Sequence, residues 1–283
     1  STQPNTLFPY TTLFRSVTAD LSTQTAAVDG DGGSDTLISI ENLVGSNQAD
    51  TLTGSTGANH IQGGNGDDTI SAGAGNDTVE GDSGNDYIVA GDGADIFIGG
   101  ANTDTLDYTG SAASAISVVL NGSTNATVTV TGDASDTVNG IENVIGTGGV
   151  DLITGDSVAN VLAGMGGNDT LAGRGGNDTL DGGAATDTAD YANAAGPVTA
   201  SLATQSASND GDGGSDTFIS IENLRGSANA DTLTGANGAN VIEGGAGNDT
   251  IDAGVGNDTV FGGNDNDLLI GGTGIDTFDG GLG

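Results

Sequence analysis

Eighteen Asp or Asn residues recur at nine-residue steps in three runs: Asp50, Asn59, Asp68, Asp77, Asp86, Asp95 and Asp104; Asp151, Asn160, Asp169, Asp178 and Asp187; and Asp231, Asn240, Asp249, Asp258, Asp267 and Asp276. Carboxylate and amide oxygens at a fixed step are suited to holding hard cations rather than to nucleophilic or thiolate chemistry. The rest of the chain agrees, with no Cys, no Lys and one His, His60, so no nucleophile has a base and an orienting group to activate it. The expectation is metal binding, with calcium as the ion, and no catalytic residue.

Each of these residues is the sixth of a nine-residue unit that is rich in Gly at positions one, two and four and apolar at position eight. The units form arrays at 45–107, 146–190 and 226–279, with seven, five and six members. Glycines at those positions allow positive φ and tight turning, so six residues make a loop and the last three a short strand. The apolar eighth residue points inward, giving the stripes Leu52, Ile61, Ile70, Val79, Ile88, Phe97 and Leu106, and Leu233, Ile242, Ile251, Val260, Leu269 and Phe278. No helical periodicity of useful length occurs. The fold class expected is all-β, a parallel β-roll (a β-solenoid) of three arrays joined by β-rich spacers.

Composition narrows the partners. Gly is the commonest residue, 53 of 283, and aromatics are 4%, too few for a thick core. Thirty-nine acidic residues face three basic ones, Arg15, Arg174 and Arg225, for a formal charge of −36. Nucleic acid and anionic membrane surfaces are therefore poor partners. Absence of Cys excludes a disulfide framework, and apolar runs such as Ile116 to Leu120 are too short to span a bilayer.

Units such as GGNGDDTIS (63–71) and GGAGNDTID (244–252) resemble the RTX nonapeptide GGxGxDxUx of hemolysin-type calcium-binding proteins, U being a large apolar residue. The resemblance covers 162 residues, although GDSVANVLA and GGAATDTAD keep little beyond Gly, the polar sixth residue and a small or apolar eighth. It implies two units per turn, with units i and i+2 stacked on one side, and export through a type I secretion channel as an unfolded chain that folds in external calcium. It further implies an extracellular location, secreted or associated with the cell surface, with the surface or polysaccharide partner unspecified.

In that stacking, strands about 4.8 Å apart place like charges in ladders. Each bare pair repels by about 1 kcal/mol at the dielectric of water and about 3.5 kcal/mol at an effective value of 20. A divalent cation reverses that repulsion, and calcium suits flexible all-oxygen cages better than octahedral magnesium. Pairing every unit with the next but one gives twelve calcium sites, which would bring −36 to −12. Sites containing Asn59, Asn160 or Asn240 should be weaker. The favoured pairs are Asp68 with Asp86, Asp77 with Asp95, Asp249 with Asp267, and Asp258 with Asp276.

Three longer segments, 17–44, 108–145 and 191–225, precede the arrays. Val17 to Gly54 aligns with Val198 to Gly235 at an offset of 181, sharing DGDGGSDT, ISIENL and ADTLTG, and the middle segment keeps Ile141, Glu142 and Asn143. The modules are thus 17–107, 108–190 and 191–283. DGDGGSD at 29–35 and 210–216 resembles an EF-hand opening but lacks its central Gly, so a turn is preferred to an extra calcium site. Alternation predicts strands around 116–120 and 127–130. His60 should be a surface strand residue, Tyr108 and Tyr191 should close the core after an array, and Arg174 and Arg225 should face solvent or a carboxylate. Residues Thr6 to Ser16, TLFPYTTLFRS, match a one-frame translation of a sequencing adapter, so 1–16 is set aside as non-native and the chain is read as a fragment.

The functional expectation is calcium-driven folding and stiffening of a secreted bacterial adhesin or exoprotein. The alternative is a non-catalytic accessory module of a secreted protease, lipase or alginate epimerase. Ice binding is disfavoured because position three of array one, Asn47, Thr56, Asn65, Ala74, Ser83, Asp92 and Ala101, makes no regular row.

Overall fold

A computed structural model describes residues 6–7, 15–29 and 33–283. Among them there is no helix, and the strands are short, most of them three residues long where the nonapeptide supplies positions seven to nine. The chain forms two compact units, Ser1–Thr147 and Gly148–Gly283, with the spacer 108–145 in the first. Of the segment set aside as adapter-derived, Thr6–Leu7 pairs parallel with Asn42–Val44; most of the remainder lies outside the described residues.

In the first unit the inward residues lie on two opposed parallel sheets and stack every eighteen positions within the array, the geometry of two nonapeptides per turn, with longer steps where a spacer joins the ladder. One stripe runs Leu43, Ile61, Val79, Phe97 and Val138. The other runs Ala19, Leu52, Ile70, Ile88, Leu106 and Val144. In the second unit the stripes are Ile153, Leu171, Ala189, Leu224, Ile242, Val260 and Phe278 on one side. On the other side, Leu162, Leu180 and Phe218 lie on one part of the sheet and Ala200, Leu233, Ile251 and Leu269 on another. Nearly all these side chains are fully buried, so the core is one residue thick and each coil depends on its neighbours.

Each spacer is an antiparallel three-stranded meander built into a parallel ladder. Thr199–Ser201, Ser206–Asn209 and Asp216–Ile219 follow one another, with the outer strands pairing parallel to Thr232–Thr234 and Thr179–Asp181. Ala115–Val119, Ala126–Thr131 and Asp136–Asn139 repeat the arrangement, the last strand running parallel to Ile96–Ala101. Val17–Asp20, Thr25–Asp29 and Asp35–Thr36 do so with Thr51–Thr53. The strands predicted near 116–120 and 127–130 are the middle meander.

Candidate metal centre

The loops between strands carry the sixth-position residues inward, where nearly all of them are buried. Glycine makes this possible at two places. Gly64 has φ +112°, and a Cβ there would overlap the Ser46 carbonyl of the coil below. Gly63 is tight for a different reason, since its Cβ would occupy the space taken by the Asp68 carboxylate.

One carboxylate oxygen of each stacked pair is fixed by the backbone. On one edge of the first unit the N–H of Asp50 donates to Asp68 Oδ1, that of Asp68 to Asp86 and that of Asp86 to Asp104, each at 2.8 Å. On the other edge, Asn59 donates to Asp77 at 2.7 Å and Asp77 to Asp95 at 2.8 Å. In the second unit the N–H groups of Asp151 and Asp169 donate to Asp169 and Asp187, and that of Asn160 to Asp178, at 2.8 Å. Asp231 donates to Asp249 at 2.8 Å and Asp249 to Asp267 at 3.0 Å, while Asn240 donates to Asp258 at 2.9 Å and Asp258 to Asp276 at 3.1 Å. All four favoured pairs are thus brought into register.

The ladders continue through residues that counting by nine misses. Asp95 donates to Asp136 Oδ1 at 2.9 Å and Asp178 to Asp216 Oδ1 at 3.1 Å. Asp104 and Asp187 donate to Glu142 and Glu222 Oε2 at 2.8 and 2.9 Å. The signal was present in the spacers as Asp-Thr-Val, Asp-Thr-Phe and the Ile-Glu-Asn triplets, which hold a carboxylate two residues before an inward apolar side chain.

The other oxygen is the chemically significant one. Oδ2 of Asp68, Asp77, Asp86, Asp95, Asp104, Asp169, Asp178, Asp187, Asp249, Asp258 and Asp267 is buried with no hydrogen-bond partner. A buried carboxylate oxygen without a donor is costly. Burial, opposed by the backbone N–H and assisted by neighbouring carboxylates, pushes Asp68, Asp104 and Asp178 up to about 7 and Asp77, Asp169 and Asp249 up to about 6. Asp86, Asp95 and Asp187 are raised by the same burial.

Main-chain oxygens converge on the same spots. A Cβ added to Gly81 would meet both Asp86 Oδ2 and the Gly99 carbonyl, and one added to Gly244 would meet Asp249 Oδ2 and the Gly262 carbonyl. Among the described residues no three His, Cys, Asp or Glu side chains gather as a metal site, so a cation here would be held by carboxylates of stacked coils plus carbonyls. That all-oxygen set fits calcium.

Other expectations resolve plainly. His60 is exposed and lies 3.0 Å from Glu80 Oε1. Arg225 reaches Glu243 at 3.3 Å and Asp190 at 3.7 Å. Tyr108 and Tyr191 are buried, and each also donates its hydroxyl, to Asp136 Oδ2 at 2.9 Å and Asp216 Oδ2 at 2.7 Å. Asp210 Oδ1 accepts the N–H groups of Asp212, Gly213 and Gly214 at 2.7 to 2.9 Å, so that copy of DGDGGSD closes on itself as a turn. Residues 30–32 of the first copy lie outside the described residues.

Compared with known families, residues 44–79, 71–106, 154–189, 225–260 and 261–283 match the RTX calcium-binding nonapeptide repeat (4 copies), more than half of the chain. No curated protein matches it.

Proposed function

The chain belongs to the RTX calcium-binding nonapeptide-repeat family, and from that premise we propose that its sixth-position carboxylates hold calcium between stacked coils and that the roll forms and stiffens when calcium is supplied. We further infer that it works outside the cell as a non-catalytic part of a secreted adhesin or exoprotein. The matched repeat is a calcium-binding one, and the resemblance of the units to it implies type I export.

The observation that carries this reading is the set of eleven buried Oδ2 atoms without a donor among the described residues. Bound calcium supplies a hard divalent charge to which both carboxylate and carbonyl oxygens can donate lone pairs. The chain's own part is to hold Oδ1 by a backbone N–H, leave Oδ2 bare, and turn glycine carbonyls toward it. Without a cation these oxygens oppose folding, and with one they favour it. The formal charge of −36 adds a general repulsion that a divalent ion relieves.

Far-UV circular dichroism of the full chain, titrated with calcium after chelation and with magnesium as control, tests the proposal. A cooperative coil-to-β transition specific to calcium, near the roughly 10⁻⁴–10⁻³ M range of extracellular modules, is the expected result. A β spectrum complete in chelator and unmoved by calcium would overturn it.

A further inference from the structure

The bare oxygens are not spread evenly. None of the eleven belongs to the first or second unit of an array. In five of those six units a proton donor reaches the sixth side chain from the unit's own second residue. Ser46 N–H donates to Asp50 Oδ2, and Ser227 N–H to Asp231 Oδ2 at 2.5 Å. Ser55, Asp156 and Ala236 donate to Oδ1 of Asn59, Asn160 and Asn240 at 2.7, 2.8 and 2.9 Å.

Further donors close the same sites. The Ser46 and Ser227 hydroxyls reach Oδ1 of Asp50 and Asp231 at 3.0 and 2.9 Å. Asn59 and Asn240 point their amide nitrogens at the carbonyls of Glu41 and Glu222, at 2.7 and 2.6 Å. An NH₂ group has no lone pair to offer a cation. It links the two coils directly, where an Asp pair would repel.

From the third unit onward the second residue is left-handed in every unit except that of Asp95, whose second residue, Gly91, is not. Gly64, Asp82, Met165 and Arg174 have φ of +112°, +74°, +74° and +67°, although three of them are not Gly. No N–H reaches the Oδ2 of the Asp four residues on. Left-handed backbone at a non-glycine residue is costly and persists only where the surroundings demand it.

We propose that the second residue of each nonapeptide decides whether its unit takes calcium: Asp50, Asn59, Asn160, Asp231 and Asn240 are closed by N–H, O–H or amide donors and bind none, while units with an open Oδ2 do. Asp136 and Asp216, whose Oδ2 atoms accept the Tyr108 and Tyr191 hydroxyls, are closed by the same rule. The donors crowd the oxygen with positive dipole ends at hydrogen-bond distance, which a cation would have to displace. Arrays one and three therefore open on metal-free coils that template the metal-dependent ones. This inference rests on the calcium reading of the ladders.

The test is a calcium count by native mass spectrometry and equilibrium dialysis on the full chain and variants, with circular dichroism in saturating calcium as a folding check. The pair Asp50→Asn with Asp231→Asn should leave the count unchanged, because Asn already occupies the matching place in the next unit. The pair Asp68→Asn with Asp249→Asn should lower the count by at least two. A gain of function guards against misfolding. Asn59→Asp alone should add nothing, whereas Ser55→Gly with Asn59→Asp should add one ion. Equal losses in the two Asp→Asn pairs, or an ion gained by Asn59→Asp alone, would overturn the inference. A wild-type chain that binds no calcium would instead fail the reading on which it rests.

Discussion

Acid should partly replace calcium. Burial holds the carboxyls of Asp68, Asp104, Asp136 and Asp178 near 7 and those of Asp77, Asp169, Asp216 and Asp249 near 6 in the folded chain. In the unfolded chain they titrate at about 3.9. A folded value above the unfolded one means that the native state holds protons the unfolded state has released. The resulting stability is fully present below about pH 4 and is lost as pH rises through 6 to 7. At pH 6 the first four would be roughly nine-tenths protonated and the second four roughly half, so folding in chelator takes up roughly five to six protons. Each proton makes the folding constant change tenfold per pH unit, spread over a wider range because stacked carboxylates titrate together. The assay is far-UV circular dichroism in chelator from pH 8 to pH 4, with proton uptake measured by calorimetry in buffers of different ionisation enthalpy. β signal should appear on acidification, and the calcium midpoint should move to higher concentration at pH 6 than at pH 7.5 because protons and calcium compete for the same oxygens. A calcium midpoint independent of pH, together with a chelated chain that stays unfolded at pH 4.5, would refute the reasoning.

Three substitutions probe the packing around the ladders. Ile70→Ala empties a fully buried position in a core one residue thick, and should cost about 2–5 kcal/mol, read as a raised calcium midpoint. Tyr191→Phe removes the hydroxyl that donates to Asp216 Oδ2 at 2.7 Å; leaving that oxygen bare should cost about 1–3 kcal/mol in acid-folded, chelated protein, measured by urea titration. Gly63→Ala places a methyl where Asp68 Oδ2 lies and 2.8 Å from the Gly81 carbonyl, and should weaken calcium binding more than the same change at Gly148, where a Cβ meets nothing within 4 Å.

The strands and the inward stripe were legible because period, apolar position and Gly placement agree in unit after unit, as at Ile61, Val79 and Phe97. The sixth-position carboxylates were legible for the same reason. Glu142 and Asp216 were not, since the meanders break the count of nine while preserving the carboxylate-to-apolar spacing that matters to the ladder. Asn59 shows a different gap between residue type and geometry. Its amide oxygen read as a weaker ligand, yet that oxygen is taken by Ser55 N–H, and the nitrogen bonds Glu41. Which end of an amide faces the neighbouring coil depends on the backbone at position two, and residue type alone does not reveal that conformation.

The preference for Asn before Asp has a separate cause, which divides the work of the loop. At position five, Oδ1 of Asn76 accepts the N–H of Ala94 at 3.1 Å, Asn168 that of Thr186 at 3.2 Å, and Asn248 that of Asn266 at 3.0 Å. Here the donor lies eighteen residues after the acceptor, whereas at position six it lies eighteen before, as from Asp68 to Asp86. Adjacent residues thus tie each coil to the next through bonds of opposite direction, and a one-residue slip would break both. Where position five is Asn the bond uses a neutral amide and sets register without adding charge; Asp67 makes the same bond, accepting the N–H of Asn85 at 2.8 Å, with a carboxylate. Asn76→Ala should therefore weaken stacking in acid-folded, chelated protein and in calcium alike, by about 1 kcal/mol per bond. Asp77→Asn should lower the calcium response while leaving register intact. Measuring both variants by urea titration, once in calcium and once in chelator at pH 4.5, separates the two contributions. A calcium-dependent cost at Asn76 would show that position five is part of the cation site after all.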